Sequence, residues 1–160
     1  MERKTKVNAE TDSHDLVVTR EFELPVELLF RAHTEPGIFE QWMSHEYGTT
    51  KVLKLECRKH GGWEFETRDA AGTRMFGAHG TIHEFIPDVR ITRTFEMDNS
   101  PYDVQLEFLE FEKLDDDTSR LTMHTIFRSV AARDALLKQP FAYGLNLAHN
   151  RLQEVVGRLK

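Results

Sequence analysis

The fold is decided by residues 61–85, which read GGWEFETRDAAGTRMFGAHGTIHEF. After two glycines, Trp63 and Phe65 alternate with two glutamates, and a second alternating segment follows the turn at residues 69–72. Such alternation is typical of a β-strand that buries one face. The stretch therefore predicts a β-hairpin whose large aromatic face covers a solid core, a partner or a ligand.

Pairing within this hairpin predicts the members of the aromatic face. A four-residue loop would pair Arg68 with Thr73. Along each strand, successive side chains would then point to opposite faces of the hairpin. The face shared by Trp63 and Phe65 would also contain Phe76, Ala78, Gly80 and Ile82. Small residues beside large aromatic ones allow a sheet to bend strongly.

The hydrophobic period changes in an ordered way along the rest of the chain. Seven strands are expected, at residues 16–22, 50–59, 62–69, 73–86, 89–98, 102–114 and 118–128, with turns such as residues 98–101 between them. Two short helices, at residues 25–35 and 38–43, separate the first two strands. From Val130 the period is helical, and Pro140 kinks or restarts this helix. The prediction is an α+β fold, a seven-stranded antiparallel sheet curved around a long C-terminal helix.

Alternation on the later strands predicts further inward-facing side chains. They are Ile91, Phe95, Leu106, Phe108, Leu121 and Met123, which would face Leu145 and Leu152 of the C-terminal helix. Two interpretations of this apolar set remain open: it fills an ordinary core, or it forms the wall of a pocket.

Five blocks of the sequence, in order, resemble a known family. They are VTREFELPVELLFRAHTEPGIFEQWM, RKHGGWEFETRDAAG, GTIHEFIPDVRITRTFE, TSRLTMHTIF and YGLNLAHNRLQEVV. The blocks are similar to the domain family named after the activator of heat-shock-protein-90 ATPase, in the START-like (SRPBCC) superfamily. The resemblance covers residues 16–160. It implies the helix-grip fold, with a cavity between sheet and helix for an apolar or amphipathic small molecule.

The residues expected to line this cavity come from the sheet and the C-terminal helix. They are Trp63, Phe65, Phe76, Ile82, Ile91, Arg93, Phe95, Leu106, Phe108, Met123, Leu145, His149 and Leu152. Two of them depart from the family pattern, because His149 and Arg93 stand where apolar residues are usual. Burying either group without a partner would cost several kcal/mol. Each is therefore interpreted either as a structurally satisfied group or as one that orients the polar end of a ligand.

Composition narrows the partners. The formal net charge of −6 provides no basic field for nucleic acid. Cys57 is the only cysteine, and residues 1–14 contain no apolar segment, so a flexible polar tail, a single domain at residues 15–160 and a cytoplasmic location without membrane insertion are expected. Outward strand positions could support a homodimer.

No metal, cofactor or catalytic residue is expected. His79 and His83 have the spacing of a helical zinc pair, but on a strand they would lie about 13 Å apart. The sequence also has no nucleophile elbow and no phosphate-binding glycine loop.

Three function classes remain. The first is non-catalytic binding of a small hydrophobic or amphipathic molecule. The second is a polyketide cyclase or dehydratase-like enzyme, in which Arg93 and His149 would be the acid–base or orienting groups. The third is a regulator of a heat-shock-protein-90 type chaperone, which the family name suggests. The name is weak support for this class, because the eukaryotic activator carries an additional N-terminal domain for which 160 residues leave no room.

Overall fold

A computed structural model describes residues 3–98 and 103–160 of the protein. The strands are β1 Lys6–Asn8, β2 Asp15–Phe22, β3 Thr49–Leu55, β4 Gly62–Arg68, β5 Arg74–Ile86, β6 Arg90–Met97, β7 Gln105–Lys113 and β8 Ser119–Ile126. The helices are α1 Val26–Thr34, α2 Pro36–Met43, α3 Val130–Leu137 and α4 Phe141–Gly157. Most of the turn expected at residues 98–101, the expected strand start at residue 102 and the first two residues of the expected tail lie outside the described residues.

The strands form one antiparallel sheet in the order β1-β2-β8-β7-β6-β5-β4-β3. Consecutive strands from β3 to β8 are neighbours, which confirms the expected meander and the α+β architecture with a C-terminal helix. The sheet has one strand more than the seven expected. The additional strand, β1, comes from the segment expected to be a flexible tail, and it pairs with β2 at the edge of the sheet.

Helix ends follow from local sequence. Pro36 lies in the first turn of α2, where its missing N–H costs no hydrogen bond. The side chain of Ser129 accepts a hydrogen bond from Ala132 N and caps α3. Pro140 immediately precedes α4, so the proline restarts the C-terminal helix, one of the two expected outcomes. Within the described ranges, no helix is both long and apolar enough to cross a membrane.

The β4–β5 hairpin keeps the predicted faces in a different register. A bulge after Thr67 pairs Arg68 with Arg74 rather than with Thr73. Phe65 therefore pairs with Ala78 and Trp63 with Gly80. This register differs from the expected one by two residues, and a shift of two leaves every side chain on its face. The prediction that Trp63 and Phe65 face inward is confirmed, because both are buried in the main hydrophobic core.

Strand β7 faces the opposite way to the prediction. Glu107, Leu109 and Phe111 are buried on the inner face, whereas Leu106 and Phe108 are only half-buried on the outer face. The expected inward orientation of Leu106 and Phe108 is therefore wrong. The strand has apolar residues at both even and odd positions. Because Glu107 is an odd-numbered position, the sequence pattern assigns the odd-numbered face to solvent.

The inner face of the sheet packs on the helices in two clusters. The larger cluster joins α1, α2, the central strands and the C-terminal half of α4, including Leu152 and Val156. The smaller cluster joins Leu16 and Val18 of β2 to α3, with Leu145 of α4 packed against it. Met123 contacts both clusters. The inward orientation expected for Ile91, Leu121 and Met123 is confirmed.

Candidate functional site

A small cavity lies between α2, the β3–β4 edge and β6. Its lining residues are His33, Phe39, Val52, Lys54, Leu55, Trp63, Glu64, Phe65 and Arg93. The cavity volume is only about 20 Å³, which is room for roughly one water molecule. Most of the space between the sheet and the helices is therefore filled by side chains in this conformation.

Arg93 is one of three charged residues in the wall of this cavity, with Lys54 and Glu64. Its Nε donates to Glu107 Oε1 at 2.9 Å, and its guanidinium lies 4.6 Å from the ring centroid of Trp63. Gln105 Nε2 donates to the other carboxylate oxygen of Glu107 at 3.2 Å. The sheet register places Arg93 directly opposite Glu107, so adjacent strands bring the pair together. A cation held between an aromatic face and a carboxylate has a fixed orientation.

His33 forms another part of the cavity wall. Its Nδ1 donates to the carbonyl oxygen of Leu29 at 2.9 Å. The ring packs against Trp42 and Phe111, with centroids 5.4 Å and 5.3 Å away. Burial lowers the pKa of His33 to about 4, and the charge of Arg93 contributes to the decrease. The imidazole is therefore neutral near pH 7, with Nδ1 carrying its proton.

His149 points inward from α4, as its position on the helical stripe predicts. It is 1% exposed, and its Nδ1 shares a hydrogen bond of 2.8 Å with Thr5 Oγ1. Phe22 packs against the ring edge-on, with centroids 5.6 Å apart. Burial lowers the pKa of His149 to about 3, with smaller contributions from His33 and Arg20. This imidazole is also neutral near pH 7.

The cavity gathers only part of the expected set. Trp63, Phe65 and Arg93 line it. Phe76, Ile82, Ile91, Phe95, Met123 and Leu152 pack in or against the main core, and His149 is buried beside them. Leu145 packs against the smaller cluster, and Leu106 and Phe108 lie on the outer face.

Sequence reasoning missed several residues of this site. They are His33, Phe39, Val52, Lys54, Leu55 and Glu64 at the cavity and Glu107 beneath it. Glu107 could have been found from the need of Arg93 for a buried counter-charge on a neighbouring strand. In residues 3–98 and 103–160, no group of three or more histidine, cysteine or acidic side chains could hold a metal ion.

Comparisons with known proteins identify the family and agree with the fold. A family model described as Activator of Hsp90 ATPase homolog 1-like protein matches residues 23–157. No curated protein matches the sequence. The match spans α1, α2, strands β3 to β8, α3 and the whole of α4.

Solved structures of low sequence identity have the same fold. A protein from Rhodobacter sphaeroides is 19% identical with a TM-score of 0.87, covering 97% of this chain and 99% of that one. A Mycobacterium smegmatis protein is 18% identical with a TM-score of 0.83, covering 95% and 96%. An Arthrobacter aurescens protein is 15% identical with a TM-score of 0.82, covering 96% and 91%. Identities this low support the fold alone.

Proposed function

Since this chain belongs to the family of Activator of Hsp90 ATPase homolog 1-like proteins, we propose that it binds a small amphipathic molecule between the sheet and the helices, without catalysing a reaction. Membership of this family suggests a ligand-binding or regulatory role. The choice of an amphipathic ligand at this site rests on the cavity wall around Arg93.

The observation that carries the proposal is the placement of Arg93. It lies in a wall that is otherwise largely aromatic and aliphatic, between the ring of Trp63 and the carboxylate of Glu107. Ligand sites are mostly apolar with a few oriented polar groups. An apolar tail would contact Trp63, Phe65 and Phe39, and a polar or anionic head would accept hydrogen bonds from Arg93.

Binding requires the cavity to enlarge. Sites for small molecules commonly occupy about 300–1,000 Å³, whereas this cavity measures about 20 Å³. The side chains best placed to move are Phe39 and Leu55, because both are only partly buried where they pack against the core. Rotation of these two side chains would enlarge the cavity beside Lys54 without breaking the Arg93–Glu107 pair.

Native mass spectrometry of the purified protein tests the proposal first, because a bound molecule adds its own mass. Laurate is then a suitable amphipathic probe, and the readout is the rise in melting temperature that binding produces. Phe39→Trp should reduce this rise in melting temperature, because the larger side chain fills the cavity. Tyr47→Trp, at an exposed loop position, is the matched control.

Two results would contradict the proposal. Laurate could fail to stabilise the wild type while no ligand co-purifies, or Phe39→Trp and Tyr47→Trp could respond alike. Turnover of a co-purified molecule would instead support the enzyme class. Binding to a chaperone without a small molecule would support the regulator class.

A further inference from the structure

A second cleft lies near the other edge of the sheet from β3 and β4, where the N-terminal segment meets β2. It has a volume of about 300 Å³ and is lined by Arg3, Lys4, Lys6, Thr19, Arg20, Glu21 and Arg120. Every lining residue is polar or charged. Five of the seven are cationic and one is acidic, which contrasts with the net charge of −6 for the whole chain.

Ion pairs and hydrogen bonds hold the cations of this cleft in place. Glu21 accepts from Arg3 at 2.9 Å and from Arg120 at 3.0 Å, so the carboxylate is covered from two sides. The hydrogen bond from Arg120 keeps the pKa of Glu21 below its usual value. Arg120 also bonds Glu112 at 2.9 Å. The arginines are therefore already oriented before any ligand arrives.

Arg20 lies on β2 between Thr19 and Glu21, and its side chain points to the buried face of the strand, towards α4. It is 4% exposed, and its Nη1 donates to the side-chain oxygens of Asn150 at 2.8 Å and of Thr5 and Asn146 at 3.3 Å. These bonds connect β2, α4 and the N-terminal segment at one point. Lys4 and Lys6 are exposed at the rim, where their flexible side chains can close over a ligand.

From this arrangement we propose that the cleft binds a small polyanion, such as a phosphate ester or a polycarboxylate, independently of the amphipathic ligand. Fixed arginines and mobile lysines around one concave surface are the groups that recognise phosphate and carboxylate oxygens. The all-polar lining does not fit an apolar tail. The volume is sufficient for a molecule that carries two or three anionic groups.

Isothermal titration calorimetry with inorganic pyrophosphate, at low ionic strength, tests this site. The wild type should bind, and the double variant Lys4→Glu/Lys6→Glu should lose about tenfold or more in affinity, since two attractive charges become repulsive. The matched control is Lys59→Glu/Lys138→Glu, which changes the net charge equally at exposed positions elsewhere. It should bind within about twofold of the wild type.

Three further measurements make the result decisive. Amide NMR shifts on adding pyrophosphate should be concentrated at Lys6, Thr19 and Arg120. Citrate in parallel identifies the anion: equal affinity supports any small polyanion, and a preference for pyrophosphate supports a phosphate ester. Unchanged melting temperatures of both variants show that folding is intact. The proposal fails if the wild type does not bind either anion, or if the control weakens binding as much as the cleft variant.

Discussion

Arg93 and Glu107 form an ion pair on the inner face of the sheet, where most neighbouring side chains are apolar. Their closest atoms, Nε and Oε1, are 2.9 Å apart, and the two side chains are only 18% and 6% exposed. Direct opposition across β6 and β7 fixes the pair, and the ring of Trp63 covers the guanidinium. Glu107 is therefore the partner that Arg93 requires to be buried without a large energetic cost.

We first predict that Arg93→Met destabilises the protein by about 3 kcal/mol, because it leaves the Glu107 carboxylate buried without its main partner. The double variant Arg93→Met/Glu107→Leu should recover most of this loss, since it removes both charges. Urea unfolding at pH 7 measures the three free energies.

The control for this cycle is the Arg90–Glu84 pair, which joins β6 to β5 but is about 40% exposed. Arg90→Met should cost less than about 1 kcal/mol, because water screens an exposed ion pair. Equal costs for Arg93→Met and Arg90→Met would show that burial of the Arg93 pair contributes nothing.

The sequence predicts the fold well because its strongest patterns are local. The alternation around Trp63 and Phe65, the helical stripe through Leu152 and Pro140 before the last helix all act over a few residues. The site is harder to predict, since its residues come from distant elements. His33 of α1 and Arg93 of β6 meet only after folding.

Strand β7 shows the particular limit of pattern analysis. Alternation identifies the buried face of a strand only when every second position is clearly apolar. In β7, Leu106 and Phe108 indicate one face, whereas Leu109 and Phe111 indicate the other. The tertiary pairing of Glu107 with Arg93 decides between them. Strand β1 is a similar case, because three residues with little apolar character become a strand only through pairing with β2.

Our second prediction concerns packing at Phe65. Its ring contacts Phe39, Phe76 and Trp63 with centroid distances of 5.3, 5.7 and 5.9 Å, and the residue is 5% exposed. Phe65→Ala should therefore cost about 3–5 kcal/mol, the loss typical of a packed aromatic side chain. Tyr47→Ala, at a position 72% exposed, should change stability by less than about 0.5 kcal/mol. A small loss at Phe65 would show that solvent already occupies its surroundings.

Our third prediction concerns the close approach of β5 and β6 at Gly80. A Cβ atom there would lie 1.9 Å from the carbonyl oxygen of Thr94, which also accepts a hydrogen bond from Trp63 Nε1 at 3.1 Å. Gly80→Ala should separate the strands, weaken that bond and lower the melting temperature. Gly37→Ala is the control, because no atom lies within 4 Å of the added methyl in α2 and alanine favours a helix. Circular dichroism melts compare the two, and equal melting temperatures would contradict the close approach.

Our last prediction concerns two neutral histidines, the buried His149 and the partly buried His33. The pKa of His33 is lowered to about 4 and that of His149 to about 3, whereas an unfolded histidine titrates near 6.5. The unfolded chain therefore binds protons first as the pH falls. Both histidines contribute stability fully above pH 6.5 or so, and this contribution decreases as the pH falls towards the folded-state values.

Urea unfolding at about pH 7.5 and about pH 5 should show a loss of roughly 2 kcal/mol for each of these two histidines. His149→Leu should remove one of these losses while changing stability at the higher pH only slightly, because Thr5 Oγ1 keeps its contact with Arg20. Carboxylates titrate in both proteins, so the difference between wild type and variant isolates His149. His83→Leu, at an exposed position on β5, controls for loss of an imidazole that the fold does not bury. If wild type and His149→Leu lose equal stability between the two pH values, His149 is not held neutral by burial, and the inward packing of α4 at this residue is wrong.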